Sequence, residues 1–170
     1  MNFSTDASDR FLSNYLLKFI HKKGQEVVAE ELKKVIIFDQ LFFPQPWSTS
    51  GWQGIVETKN RYYLLQVEAA QKLIGIALFD MIEADNCAHL LKIAVDPQFR
   101  QRQIAAKILQ EAFSFIGKTE QFLKIYLEVE EQNKVAIKLY QRAGFSAIHR
   151  LRNFYGQGKD GLAMIRFMKK

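Results

Sequence analysis

Three stretches of this sequence carry side chains that could do chemistry. The densest is IAVDPQFRQRQIAAKIL (93–109), which reads as a buried strand, a Pro-bearing turn, a basic turn and a helix start. A helix N-terminus presents unpaired backbone N–H groups and the positive end of the dipole, so it takes phosphate oxygens. Arg100 and Arg102 add charge there, and the small Ala105 and Ala106 let a ligand approach the backbone. The residues alone leave two readings open: a phosphate-binding turn, or an ordinary strand-to-helix turn with solvated arginines. The second stretch, LEVEEQNKVAIKLYQRAGF (127–145), holds Glu128, Asn133 and Tyr140. Taken singly, these read as a strand carboxylate in water, a helix N-cap and a core aromatic beside Ala136 and Ile137. The third, FFPQPWS (42–48), offers Trp47 either as the wall of a groove or as the anchor of a Pro turn.

The elements that would position these residues follow from hydrophobic period and turn chemistry. Residues 1–10 read as a loose polar lead, and 14–24 as a strand or short helix ending on Gly24. Val28, Leu32, Val35, Ile36 and Phe38 follow a helical period and predict a helix over 25–42. Pro44 and Pro46 end it, and Ser48–Ser50 offer N-caps for a short helix through Trp52. Strands are expected at 62–67, 73–81 and 87–95, the last stopped by Asp96-Pro97. An amphipathic helix over 102–115 presents Ile104, Ile108, Leu109 and Ala112 on one face, with Gly117 closing it. In 122–129, Leu123, Ile125, Leu127 and Val129 alternate with Lys124, Tyr126 and Glu128, the pattern of a half-buried strand. A helix over 133–143 stops at Gly144, and strands at 146–152 and 162–167 follow. This order predicts a single domain over 1–170: one α/β sheet with helices on both faces.

Composition excludes more than it identifies. Twenty-four Lys and Arg against eighteen Asp and Glu give a net charge of +6, but the basic residues form no block. Diffuse charge of this kind is a solvated surface, so no nucleic-acid partner is expected. No stretch reaches the roughly 18 apolar residues of a membrane helix, so no membrane partner is expected. The opening MNFSTDASDR lacks the basic flank and apolar run of a secretory signal, which makes the cytoplasm the expected location. His21, His89 and His149 are scattered, and Cys87 is the lone cysteine, so no metal site is expected. Neither a Gly-X-Ser-X-Gly elbow nor a P-loop occurs.

A resemblance joins the pieces. Arg100-Gln101-Arg102-Gln103-Ile104-Ala105 resembles the acetyl-CoA pyrophosphate loop of the GNAT N-acetyltransferases, Arg/Gln-X-X-Gly-X-Gly/Ala. Stretch 127–145 resembles the family's later motif, in which Leu-Glu-Val precedes Asn, an Ala-rich turn, Leu-Tyr and Gly-Phe. FFPQPWS (42–48), RLRNFY (150–155) and GKDGLAMI (158–165) are similar to segments of the ribosomal-protein-alanine N-acetyltransferases. The likeness covers about 30–167. It implies the GNAT acyl-CoA N-acyltransferase fold, a mixed, mostly antiparallel central sheet with helices on both faces.

It also implies acetyl-CoA as co-substrate and the N-terminal α-amine of a peptide as acceptor, with no metal. An ammonium is no nucleophile at neutral pH, because the α-amine pKa is about 8 and that of lysine about 10.4. A base must take the proton, and an acid helps the thiolate leave. The resemblance assigns these roles to Glu128 and Tyr140. It places the pantetheine against Ile93, Ala94, Val95 and Asn133, the pyrophosphate on Arg100–Ala105, and the acceptor beside Trp47 and Tyr155. Three positions depart from the pattern. Gln103 stands where the first loop Gly is usual, and would keep the turn with helical dihedrals. Lys159 replaces a Glu, and Phe154 the first of two tyrosines. Two alternatives stay open: a small-amine acetyltransferase acting on an antibiotic, polyamine or amino acid, and a non-catalytic acyl-CoA-binding module.

Overall fold

The computed structural model describes residues 17–58 and 60–168. The expected lead over 1–10 and the start of segment 14–24 lie outside the described residues. Seven strands form one sheet in the order β1-β2-β3-β4-β5-β7-β6. They are β1 (Lys18–Lys23), β2 (Tyr62–Ala69), β3 (Lys72–Ile82), β4 (Cys87–Val95), β5 (Lys124–Glu130), β6 (Ser146–Leu151) and β7 (Gly161–Phe167). All neighbours run antiparallel except β4 and β5. Those two are linked through α3 (Ile104–Gly117), as a parallel pair requires a crossover.

Both faces are covered, and the sequence shows why. Ile104, Ile108, Leu109, Ala112 and Ile116 of α3 are buried against one face, joined by Ile137 and Tyr140 of α4 (Lys134–Arg142). Val35 and Phe38 of α1 (Ala29–Phe42) and Trp52 and Ile55 of α2 (Thr49–Glu57) pack on the other, over Leu64, Ile76 and Leu78. Central β3 is therefore buried from Ile74 to Asp80 as a nearly unbroken apolar run. Gly75 is needed within it, because a Cβ there would stand 3.0 Å from Ile108 Cδ1 and 3.3 Å from the Ala94 carbonyl oxygen. In β5 Ile125, Leu127 and Val129 are buried as the alternation predicts, but Leu123, expected on the same face, precedes the strand and is exposed.

Helix boundaries differ from the expected ones for local reasons. Gly24–Glu26 is a separate 3₁₀ turn, and α1 starts at Ala29, where the Glu31 carboxylate accepts from the Val28 N–H at 3.3 Å. Helix α2 runs on past Trp52 to Glu57, capped by Ser48 Oγ accepting from the Gly51 N–H at 3.1 Å. Helix α3 starts at Ile104 rather than 102, because Gln101 (φ 61°) and Gln103 (φ 57°) are both left-handed.

Candidate active site

The parallel pairing of β4 with β5 is short. Cys87, Ala88 and His89 face Lys124, Ile125 and Tyr126, and no pairing follows. Beyond that rung each strand keeps its outer neighbour, β4 through Val95 with β3 and β5 through Glu130 with β7. A bulge helps to turn β4 away: Leu78 pairs with Lys92 and Phe79 with Leu90, leaving Leu91 as the extra residue. The sheet thus opens into a V, and a cleft of about 1690 Å³ occupies it. Leu91–Val95 line one wall and Glu128, Val129 and Glu130 the other.

At one end of the cleft stands the N-terminus of α3. Gln103 is its N-cap, yet supplies no side-chain hydrogen bond, so the first N–H groups of the helix are left to the cleft lined by Gln103, Ile104 and Ala105. The expectation of helical dihedrals at Gln103 is corrected: the residue is left-handed, the conformation that glycine adopts without a Cβ clash. Arg100 and Gln101 also line the cleft, and Arg100 Nε donates to the Val95 carbonyl at 3.1 Å. Arg102 is absent from the lining, and its guanidinium lies 5.7 Å over the Phe99 ring. The turn is fixed by Asp96, which accepts from the Gln98 N–H at 2.9 Å and from Lys72 Nζ at 2.7 Å. Burial raises the Asp96 carboxyl, but these donors outweigh it and hold the group below its ordinary range.

Tyr140 is set by the end of α4. Gly144 (φ 88°) donates to the Gln141 carbonyl and Phe145 to the Tyr140 carbonyl, both at 3.0 Å, the paired bonds of a Schellman cap. The accompanying apolar contact is Phe145 against the Tyr140 ring, edge-on at 5.8 Å. Tyr140 is buried and lines the cleft, and desolvation pushes its phenol well above the usual range, so it holds its proton. Asn133 caps the other end of α4, accepting from the Ala136 N–H at 3.1 Å while also lining the cleft.

Glu128 lines the opposite wall. Its Oε2 lies 2.7 Å from His89 Nε2, and Tyr126 is a second donor toward the carboxylate. Burial raises the Glu128 carboxyl, but His89 and Tyr126 together bring it below its ordinary range, so it is ionised at neutral pH. Tyr155 also lines the cleft, its phenol pushed up to about 12 by burial and then by Glu128 and Glu130. It rides on a braced loop. The Tyr155 N–H donates to the Lys159 carbonyl at 3.0 Å, and the Asn153 N–H to Asp160 at 2.8 Å. Arg150 bridges Glu131 at 2.9 Å and Asp160 at 2.7 Å, tying this loop to the residue that follows β5.

The remaining wall is an arrangement with no sequence signal. Asp39, fully buried on α1, accepts from the Trp47 N–H at 2.7 Å, Trp52 Nε1 at 2.8 Å and Lys92 Nζ at 2.7 Å. Lys92 Nζ lies 4.2 Å from the Phe43 ring centroid and 4.8 Å from that of Trp47. Burial pulls the ammonium below its ordinary range, and Asp39 opposes this. Trp47 therefore both lines the cleft and anchors the Pro turn. The lining holds six cationic side chains (Lys92, Arg100, Lys138, Arg142, Lys159, Arg166) against Glu128 and Glu130. Such a surplus, with an uncapped helix N-terminus, fits a polyanionic ligand.

A sheet opened between β4 and β5, with an uncapped helix start at one end of the opening, defines an acyl-CoA-dependent transferase class, and the sequence agrees. The profile of the acetyltransferase (GNAT) family matches residues 32–145, and the chain belongs to that family. It is 30% identical over 110 residues to the [ribosomal protein bS18]-alanine N-acetyltransferase of Salmonella typhimurium, covering 65% of this chain and 71% of that one. It is 34% identical over 76 residues to an N-alpha-acetyltransferase of Sulfurisphaera tokodaii, covering 45% of this chain and 46% of that one. The matched segment thus spans about half the length of the archaeal relative. In structure, the ribosomal-protein-S18-alanine N-acetyltransferase of Escherichia coli superposes with a TM-score of 0.78 at 21% identity, covering 91% of this chain and 96% of that one. Arabidopsis thaliana NAA60, solved with acetyl-CoA, gives 0.75 at 19% identity, covering 90% and 99%. The spermidine/spermine N-acetyltransferase of Vibrio cholerae gives 0.71 at 21%, covering 89% and 92%. The fold is common to enzymes of different acceptors and does not choose among them.

Proposed function

We propose that the protein transfers the acetyl group of acetyl-CoA to the N-terminal α-amine of a protein or peptide. The observation that carries this reading is the cleft itself, whose lining includes the uncapped start of α3, Glu128 and Tyr140. Acetyl-CoA is the donor the family uses, and the fit is supported by the cationic lining and the free sheet edges. Ile93, Ala94 and Val95 would meet the pantetheine, Asn133 would flank it, and Arg100–Ala105 would hold the pyrophosphate through backbone N–H groups.

The ionised Glu128 takes a proton from the bound ammonium, directly or through water, freeing the nitrogen lone pair. The new N–C bond forms as the C–S bond breaks, the sulfur leaves with the electron pair, and the nitrogen's second proton passes to solvent to give the neutral amide. Tyr140, held protonated by burial, supplies the proton that the thiolate needs, and solvent restores it. The choice of a peptide acceptor rests on the N-alpha-acetyltransferase relatives and on the Trp47 and Tyr155 walls.

The test is acetyl transfer to short peptides with different first residues, polyamines and aminoglycosides, with mass spectrometry locating the group. Modification of α-amines is expected; transfer only to lysine side chains or polyamines rejects the acceptor assignment. Glu128→Gln should slow turnover roughly 100- to 10,000-fold, partly rescued at high pH where the amine is already neutral. Tyr140→Phe should keep acetyl-CoA affinity while turnover falls, without that rescue.

A further inference from the structure

We infer that His89 is a positioning residue for Glu128, and that protonation of its imidazole switches the carboxylate off as a base. The inference rests on the reading of Glu128 as the base and adds a regulator to it. His89 and Tyr126 form the last rung between β4 and β5, so His89 stands at the apex of the V where the cleft begins. Its Nε2 reaches past that rung to Glu128 Oε2 at 2.7 Å, and its ring lies edge-on to Tyr126 at 5.2 Å. Glu128 lines the cleft, and His89 and Tyr126 are not among the side chains that line it. The His89 contact thereby holds Oε2 of the base.

A neutral imidazole donating from Nε2 fixes the carboxylate without cancelling its charge. A second proton on Nδ1 places a full positive charge against it, and the carboxylate's hold on the amine's proton then weakens. By linkage, whatever Glu128 adds to the proton affinity of His89, protonated His89 removes from Glu128. Other titratable and charged groups face the imidazole from each element packed against it. On β5 these are Tyr126, pushed up to about 12 by burial and then Glu128, and Lys124 two residues earlier on the same face. On β3, Asp80 pairs across from His89 and is tied to Arg61 at 2.7 Å. Cys87, two residues back on β4, has its thiol raised by burial.

The experiment compares kcat of wild type and His89→Gln from pH 5.5 to 8.5 at saturating acetyl-CoA and peptide. Glutamine keeps an N–H donor but does not titrate, and ionisation of the peptide amine is common to both, so it cancels in the ratio. The wild-type to variant ratio should rise about tenfold between pH 5.5 and 8 and then level off, as a histidine titration does. A flat ratio overturns the inference. Glu128→Gln separates the two readings: near-normal turnover in that variant removes Glu128 as the base. Slow turnover there with a flat His89→Gln ratio removes only the role of His89. Should His89→Gln fail to fold, imidazole NMR titration of wild type and Glu128→Gln decides. The midpoint of the His89 resonances should move to lower pH without the carboxylate, and an unchanged midpoint overturns the coupling.

Discussion

Gln103→Gly is the substitution whose outcome the backbone dictates most directly. Gln103 sits at φ 57° and ψ 11°, the left-handed region, at the first turn of α3. An L-residue there costs roughly 1–2 kcal/mol through the crowding of Cβ against the following carbonyl. Glycine removes that cost but adds freedom to the unfolded chain, about 0.4–1 kcal/mol against folding. The glutamine side chain makes no cap hydrogen bond whose loss would count. The net is a gain of about 0.5–1 kcal/mol, which for a chain of this size raises Tm by about 1–4 °C. Gln103→Ala keeps the Cβ and should gain nothing, so the pair isolates the backbone term. The assay is thermal unfolding of the three proteins with and without acetyl-CoA, where binding to the native state adds its own increment. Gln103→Gly should bind acetyl-CoA at least as tightly as wild type. A fall in Tm of several degrees, or equal gains for glycine and alanine, would refute the strain argument. A large loss of affinity would show the side chain to be part of the binding surface.

The Asp39–Lys92 pair yields a second expectation. Lys92→Met leaves a buried carboxylate without its counter-charge and should cost about 3–5 kcal/mol. Adding Asp39→Asn should recover much of that in chemical denaturation, and additive losses would show that the two groups act separately. A third concerns acid. The Asp96 carboxyl is depressed in the folded state, because its donors outweigh burial. Its stabilisation is therefore complete above the unfolded pKa of about 3.9 and is lost as pH falls through the lower folded value. Tm should decline below about pH 4, and Asp96→Asn should flatten that decline; an unchanged slope rejects the contribution of Asp96.

What the sequence disclosed was whatever local chemistry records. The alternation of β5 was readable because one face is buried. Gly144 announced the end of α4 because the Schellman turn demands positive φ. Helix α3 starts two residues later than the hydrophobic period predicts, because left-handed glutamines leave no compositional trace. Arg102 looked like a phosphate ligand by proximity in sequence, whereas its side chain lies on Phe99. The partners of Glu128 and Lys92 were invisible for a different reason. His89 meets Glu128 across 39 positions through a parallel pairing closed by α3, and Lys92 meets Asp39 across 53. No periodicity encodes such meetings. Glu128 and Tyr140 stood out through family resemblance alone, since each has an ordinary structural reading at its own position.

The three rungs that join β4 to β5 bear on how the molecule comes apart as well as on what it holds. Four strands lie on one side of that seam and three on the other, so a load across the sheet falls on very few main-chain bonds. A ligand that binds both β4 and the β5 side of the V is then a mechanical staple. Hydrogen exchange of the amides in β4 and β5 near the opening should slow on binding far more than exchange in β2 and β3. Those strands, paired along their length, gain nothing from the staple.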